Sequence, residues 1–426
     1  MKLLIQQGTI VDPSKQIEGI QDILVEDGVI TAIAPKIDAP EAEILDGRGL
    51  WIAPGLVDPH VHLRDPGLTY KEDIGTGTAA AAHGGFTAVA CMPNTKPVAD
   101  RPEVICSILD RAKEGSGTRV YPIGAISVGE RGEVCTDFAA LKAAGAVALS
   151  DDGVPVMRAV LMREALHKAG ECSLTLLCHE EDREMVQNYA VNEGKISRQL
   201  GIPGRPAIAE ELMVARDGML SLETGVPVHF CHISTAGSVN VIRRLKEAGA
   251  MVTCETCPQY FTLTEDAILE QGTLARVNPP LRTAADVAAI IEGLRDGTID
   301  CIATDHAPHS AEEKARPLTE APSGMVGLET SLAITLTELY HSGAMDLTDI
   351  LQKMTAAPAH VLGVPGGKLA VGERADLTLF DLNETWTIDP VNFRSKGRNT
   401  PFAGKVVRGK VKYTLVGGNV IYRDER

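Results

Sequence analysis

No apolar stretch in this chain of 426 residues reaches the roughly 18 to 20 residues needed to span a bilayer, which argues against membrane insertion. The segment from Met1 to Gly8 turns polar after a few apolar residues and lacks the roughly 7 to 15-residue apolar region of a secretory signal, so the cytoplasm is the expected location. Runs of lysine and arginine are missing too, and a net charge of -16 opposes binding to phosphate backbones, which makes nucleic acid a poor partner. Cys254-Glu255-Thr256-Cys257 is the one Cys-x-x-Cys, and the second pair that a structural zinc ribbon requires is absent. The nine cysteines are odd in number and several lie in apolar runs ending at Cys178 and Cys231, so they read as buried free thiols and not as a disulfide framework. Low-complexity segments are also lacking. An anionic substrate would need positive charge from a metal or a placed arginine.

What is present is an ordinary soluble-protein composition, 44% hydrophobic, on a chain long enough for one α/β barrel of about 250 residues plus an accessory domain. After residue 50 a short Val/Ile/Leu-rich run ending in a polar residue alternates with amphipathic stretches. Candidate strands are 52–62, 87–92, 119–125, 146–150, 174–178, 226–231, 251–255 and 299–303, with helical patterns at 72–83, 137–144, 209–223, 238–248 and 286–295. Eight strands in this alternation imply a (β/α)8 barrel with its active site at the carboxyl ends of the strands. The first 50 residues differ: short segments at 2–6, 22–25 and 29–33, separated by Asp-Gly and Asp-Pro turn signals, look antiparallel. Similar segments return at 376–381 and 406–422, after the glycine-rich connection Gly363 to Gly367, so both ends are expected to pair as one small β-sandwich domain. The expected division is 1–53 with 366–426 for that domain and 54–365 for the barrel.

His60 and His62 occupy i and i+2 at the end of the first barrel strand, where side chains point to one face and two imidazoles can reach one ion. Other strand ends carry Asn94, Asp151 with Asp152, His179, His232, and Asp305 with His306 and His309. One such histidine means little; four strands that agree point to a metal site. Four histidines and two aspartates exceed what one catalytic zinc takes, so two ions sharing a carboxylate and a hydroxide are the economical reading, with hydrolysis as the chemistry. Imidazole and carboxylate ligands without thiolate suit zinc, with manganese or cobalt as substitutes. Arg64 shares the parity of His60 and His62, and its guanidinium can grip a carboxylate with two parallel hydrogen bonds.

Asp58-Pro59-His60-Val61-His62-Leu63-Arg64, Met92-Pro93-Asn94-Thr95, Ser150-Asp151-Asp152-Gly153, Cys231-His232-Ile233-Ser234, Asn278-Pro279-Pro280, Ala303-Thr304-Asp305-His306-Ala307-Pro308-His309 with Lys314, and Gly327-Leu328-Glu329-Thr330 together resemble the class I bacterial-type dihydroorotases of the amidohydrolase superfamily. The resemblance covers nearly the whole chain. It implies that His60, His62 and Asp305 hold one zinc and His179 and His232 a second, with Asp152 bridging and Asp305 acting also as general acid and base. Choosing Asp152 over Asp151 follows the family motif; alternation suggests that only one of the two faces the metals. The resemblance further implies Arg64, Asn94 and His309 around a substrate carboxylate, and Asn278 with the backbone of Ser323 and Gly324 around the ring, beside His62. The implied reaction is the reversible cyclisation of N-carbamoyl-L-aspartate to L-dihydroorotate in pyrimidine synthesis, with a homodimer or a complex with aspartate transcarbamoylase as the association. The alternatives are another cyclic amide hydrolase, such as a dihydropyrimidinase, hydantoinase or allantoinase, or a noncatalytic scaffold for aspartate transcarbamoylase. Two departures stand out: Cys257-Pro258-Gln259-Tyr260, where relatives often carry histidines, and Ser323, where an aromatic is common.

Overall fold

The computed structural model describes residues 2–13 and 17–425; residues 1, 14–16 and 426 of the expected terminal domain lie outside the described residues. The chain begins with β1 (Lys2–Asp12), β2 (Ile17–Glu26), β3 (Val29–Ala34), β4 (Glu43–Asp46) and β5 (Trp51–Pro54). β1 pairs antiparallel with β2 and β2 with β3, but β4 and β5 lie parallel to β1, so the antiparallel expectation holds for only part of this region.

The barrel strands follow as β6 (Leu56–Val61), β7 (Phe86–Cys91), β8 (Arg119–Ala125), β9 (Ala148–Ser150), β10 (Thr175–Cys178), β11 (Val228–Phe230), β12 (Val252–Thr256) and β13 (Cys301–Ile302), paired in chain order and parallel throughout. These are the eight runs read from the sequence, with one correction. The apolar run 52–62 is not a single strand, because its first part, β5, belongs to the terminal sheet and its second, β6, opens the barrel. Gly55 makes the break: its N–H donates to the Asp376 carbonyl at 2.8 Å, and a Cβ there would sit 2.1 Å from the Thr87 hydroxyl. Only a residue without a side chain fits between the two sheets.

Closure of the barrel uses the residues just beyond β13. Val61 bridges His306 in parallel, the His62 N–H donates to the His306 carbonyl at 2.9 Å, and the buried Asp58 carboxylate accepts the Thr304 N–H at 3.2 Å and its hydroxyl at 2.5 Å. Small and branched side chains fill the interior, among them Val57, Ala88, Ala90, Ile123, Ala148 and Leu177, and Ala359 and Leu362 of the helix Ala356–Leu362 cap one end. The larger apolar cluster lies between strands and the outer helices.

The chain ends with β14 (Leu377–Thr387), β15 (Val406–Val416) and β16 (Asn419–Arg423). The segment expected over 406–422 is therefore a hairpin, turning at Gly417 and Gly418 with φ of 54° and 74°, a conformation that favours glycine. One hydrogen-bonded path, β16-β15-β14-β5-β1-β2-β3 with β4 on β1, joins the two ends. Ile5, Ile23 and Ile52 from the first end share a core with Leu377, Leu379 and Leu415 from the second. Among the described residues no helix is long and apolar enough to cross a membrane.

Candidate metal and substrate site

Six of the eight barrel strands, all but β8 and β12, deliver a polar residue from their carboxyl ends to one cavity of about 190 Å³. Asp152, just past β9, lies among four imidazoles: its carboxylate oxygens are 3.5 Å from His60 Nε2, 3.4 Å from His62 Nε2, 3.7 Å from His179 Nδ1 and 3.6 Å from His232 Nε2. Asp305 Oδ1 stands 3.2 Å from His62 Nε2 and 3.6 Å from His60 Nε2. His179 Nδ1 and His232 Nε2 are 2.9 Å apart. Asp151 turns the other way, accepting the Ser127 N–H at 3.0 Å, so of the two adjacent carboxylates only Asp152 faces the histidines. His306 also turns away, with Nε2 3.4 Å from Glu72 and Nδ1 accepting the Gly327 N–H at 3.2 Å.

The imidazoles are aimed from behind. His60 Nδ1 is 2.7 Å from Glu255 Oε1, and His62 Nδ1 is 3.0 Å from Asn94 Oδ1. A carboxylate or amide oxygen facing Nδ1 accepts a hydrogen bond from Nδ1–H, which leaves the lone pair on Nε2, directed at Asp152 and Asp305. Burial opposes ionisation of Glu255, but His60 and His229 beside it outweigh that and hold its pKa at about 2. Glu181 is treated alike: burial raises its pKa, yet His179, Arg205 and Asn278 bring it down to about 2.

The donor set itself tests for a cation. His60 Nε2 and Asp152 Oδ1 are buried without any hydrogen-bond partner and face one another, an arrangement that is costly unless something positive engages them. Ligand atoms of His60, His62 and Asp305 lie within 4.8 Å of one another, as do those of His60, Asp152 and His232. Imidazoles and carboxylates at such spacing fit divalent ions. Strain gathers here as well: Arg64, His232 and Asp305 have φ of 58°, 34° and 48°, which L-residues with bulky side chains rarely adopt outside constrained sites.

Arg64, Asn94, Asn278, His309, Ser323 and Gly324 line the same cavity with His62, while His60 is wholly buried beneath. Arg64 is buried, donates from Nε to the Pro308 carbonyl at 3.3 Å and approaches His309 Nε2 at 3.5 Å. His309 donates from Nε2 to the Ser323 carbonyl at 2.8 Å and receives the Lys71 ammonium at Nδ1, 3.3 Å away. Burial, then Arg64, Lys71 and Lys314, push its pKa far below the ordinary value, so the ring is neutral. Lys314 donates to the carbonyls of Arg276, Pro322 and Gly324 at 3.3, 3.0 and 2.8 Å, which pins the loop carrying Ser323 and Gly324. Of the departures noted in the sequence, buried Gln259 and Tyr260 stay outside the cavity, and the Tyr260 hydroxyl donates to the Pro279 carbonyl at 2.8 Å.

Pattern reading passed over Glu255, His229, Lys71 and the Glu181–Arg205 pair. Glu255 carried a usable signal, since it lies at the carboxyl end of a barrel strand like the ligand residues.

A parallel barrel with paired histidine and aspartate clusters at its carboxyl end defines a metal-dependent hydrolase of the amidohydrolase class. The family model described as "Amidohydrolase family" matches residues 207–422, and that described as "Dihydro-orotase-like" matches residues 49–238. The chain is 50% identical over 423 residues to a dihydroorotase of Acetivibrio thermocellus, covering 99% of each chain, and 50% identical over 424 residues to one of Pelotomaculum thermopropionicum, covering 100% of this chain and 99% of that one. Among solved structures it resembles an L-hydantoinase (dihydropyrimidinase) from Arthrobacter aurescens, with a TM-score of 0.90 at 26% identity over 100% of this chain and 96% of the other. The chain belongs to the dihydroorotase family, and it is a metal-dependent cyclic amide hydrolase.

Proposed function

We propose that this site carries the family's reaction, the reversible cyclisation of N-carbamoyl-L-aspartate to L-dihydroorotate, using two zinc ions. The observation that carries the reading is Asp152 at the centre of four imidazoles, with buried atoms that lack a hydrogen-bond partner on His60 and on Asp152 itself. In this reading His60, His62 and Asp305 would hold one ion and His179 and His232 the other, with Asp152 a ligand available to either. Bound there, the ions supply Lewis acidity that lowers the pKa of water and polarises the ring carbonyl next to the methylene.

The chain's own residues do the rest. Arg64 meets the substrate carboxylate beside Asn94 and His309, while Asn278 and the backbone of Ser323 and Gly324 flank the ring. In the hydrolytic direction water adds to the carbonyl carbon, the bond from that carbon to the ring nitrogen breaks, and N-carbamoyl-L-aspartate results. Asp305 accepts the proton of the attacking water on its carboxylate and delivers it to the departing nitrogen, acting as base and then as acid. The same reading divides the chain into 1–53 with 366–426 and 54–365, places it in the cytoplasm, and gives it the association implied by its resemblance, a homodimer or a complex with aspartate transcarbamoylase.

The test is hydrolysis of L-dihydroorotate by zinc-loaded protein, abolished by chelator and restored by about two zinc per chain. Asp305→Asn should retain metal and lose most turnover; near-normal turnover would remove Asp305 from this role. Arg64→Ala should raise KM for dihydroorotate at least tenfold, on the order of the 1.4 kcal/mol or more that a charge-assisted pair contributes, while leaving hydrolysis of uncharged dihydrouracil no worse. Equal effects on both substrates would favour a hydantoinase-like specificity.

A further inference from the structure

The ring of His309 has the substrate cavity on one side and an ion pair on the other. Toward the cavity, Nε2 is 2.8 Å from the Ser323 carbonyl and 3.5 Å from Arg64 Nη2. Behind the ring, the Lys71 ammonium lies 3.3 Å from Nδ1 and 2.9 Å from Glu313 Oε1, and Glu313 Oε2 lies 3.6 Å from the same ring nitrogen. The side chains of Lys71 and Glu313 are 11 and 14% exposed, and neither lines the cavity. Both are built into place. The Leu68 N–H donates to the Arg64 carbonyl and the Lys71 N–H to the Leu68 carbonyl, each at 2.9 Å, so the turn that carries Arg64 into the cavity brings Lys71 back behind His309. Glu72, the next residue, is wholly buried and anchors that turn by accepting the Lys396 N–H at 3.3 Å. Glu313 sits in the helix Ala311–Lys314, where its Oε2 accepts the Ser310 N–H at 3.2 Å and its Oε1 accepts the Tyr70 hydroxyl at 3.0 Å.

These contacts decide which nitrogen of His309 carries its proton. A neutral imidazole has one N–H and one lone pair, and the hydrogen bond made at one nitrogen fixes the state of the other. An ammonium only donates, so Lys71 at Nδ1 requires the lone pair there; a carbonyl only accepts, so Ser323 at 2.8 Å requires the N–H at Nε2. The two demands agree. Burial and the cations Arg64, Lys71 and Lys314 keep the ring from taking a second proton. We propose that Lys71 is a positioning residue: paired with Glu313, it locks His309 with its N–H on Nε2, so that the ring meets the substrate carboxylate as a donor beside Arg64. This role rests on the reaction proposed above, in which that carboxylate reaches His309. Without the ammonium, Glu313 Oε2 is the group left facing Nδ1. A carboxylate there draws the N–H to Nδ1 and turns a lone pair on Nε2 toward the substrate carboxylate, which it repels. The Ser323 carbonyl loses its donor as well. What is lost is one hydrogen bond to a charged acceptor, about tenfold in affinity.

Lys71→Met keeps the unbranched apolar stem but neither charge nor donor. It should raise KM for L-dihydroorotate about tenfold and change kcat little, because Lys71 touches neither the reacting atoms nor a metal position. Lys71→Arg, which restores a cationic donor, should bring KM most of the way back. In zinc-loaded protein carrying isotope-labelled histidine, a long-range proton–nitrogen correlation spectrum reads the tautomer directly, with His309 assigned by its loss in His309→Asn. Wild-type protein should show Nε2 protonated and Nδ1 bare, and Lys71→Met should show the reverse. An unchanged KM in Lys71→Met, in protein whose turnover still depends on Arg64, overturns this role and leaves the proposed reaction standing. A raised KM without the reversal would mean that Lys71 acts through its charge alone, which overturns the role too. Absence of dihydroorotate turnover in the wild-type protein removes the reaction and this role together. Should Lys71→Met fail to fold, the wild-type spectrum decides: a proton on Nε2 alone supports the assignment, and one on Nδ1 overturns it.

Discussion

Glu255 is wholly buried at the end of β12 and divides its two oxygens between His60 Nδ1 at 2.7 Å and His229 Nε2 at 3.2 Å, while His229 Nδ1 rests against the Thr253 hydroxyl at 2.8 Å. This chain of contacts fixes which nitrogen of His60 faces the metal position, and its negative charge raises the basicity of that nitrogen. Glu255→Gln keeps the size and an acceptor oxygen but removes the charge. Metal affinity should therefore fall by about 10 to 100-fold, read by competition with a chromophoric chelator, with the fold unchanged. Unaltered affinity would mean that Glu255 is held only by packing. The candidate ligand residues could be picked out because they lie at or just beyond the ends of apolar runs, although position alone did not separate Asp152 from Asp151, a choice that followed the family motif. Lys71 was not legible, since its partner His309 is 238 positions away and only the folded loops bring ammonium and ring together. Asn94 shows the limit in another way: its place in the site was readable from its motif, but not that its oxygen is spent on His62.

At the scale of elements, the alternation of apolar runs and amphipathic stretches located all eight barrel strands, because a strand buried on both faces must be apolar throughout and short. Boundaries failed where one run serves two sheets, as at Gly55, or where a hairpin turn interrupts an apolar segment, as at Gly417–Gly418; periodicity does not report which sheet a residue joins. The helix Ala159–Cys172 escaped notice although it is 14 residues long, because no side chain caps its start and its mix of charged and small residues dilutes the apolar stripe. Between β8 and β9, the turn Val128–Glu130 carries a carboxylate in an unfavourable place. Burial, then Asp151, Asp152 and Asp100, raise the Glu130 pKa from 4.5 to about 9, and its Oε1 has no hydrogen-bond partner. Between those two pH values the unfolded chain has released this proton and the folded chain retains it, so this group lowers stability progressively as pH rises from about 4.5 to about 9. Glu130→Gln should leave the urea midpoint unchanged at pH 4 and raise it increasingly up to about pH 9. A midpoint difference that does not vary with pH would show that Glu130 is not held protonated.

For the whole molecule the question is whether the sheet built from both ends stands apart from the barrel. Several contacts cross between them: Arg119 pairs with Asp376 at 3.0 and 3.2 Å, the Thr378 hydroxyl donates to the Gly85 carbonyl at 2.6 Å, and the Thr414 hydroxyl donates to the Ala82 carbonyl at 2.7 Å. Phe380, Leu382, Val407 and Val411 of the terminal sheet belong to the same apolar cluster as Phe86 and Leu56 of the barrel. Exposing that shared surface would cost each part apolar burial, at about 25 cal/mol for every Å² returned to water. Calorimetry should accordingly show one heat-absorption peak for the zinc-loaded protein, and removing the metal should move that peak without splitting it. The size of the move follows from linkage. Free zinc at about 1,000 times its dissociation constant stabilises by about 4 kcal/mol per site. A chain of 426 residues unfolds with an entropy of about 0.9 kcal/mol per kelvin. Each site lost should then lower Tm by about 5 °C, and two sites by about 10 °C. A second resolved peak would make the terminal sheet an independent folding unit, and a fall near 5 °C would mean that one ion, not two, is bound tightly enough to stabilise the fold.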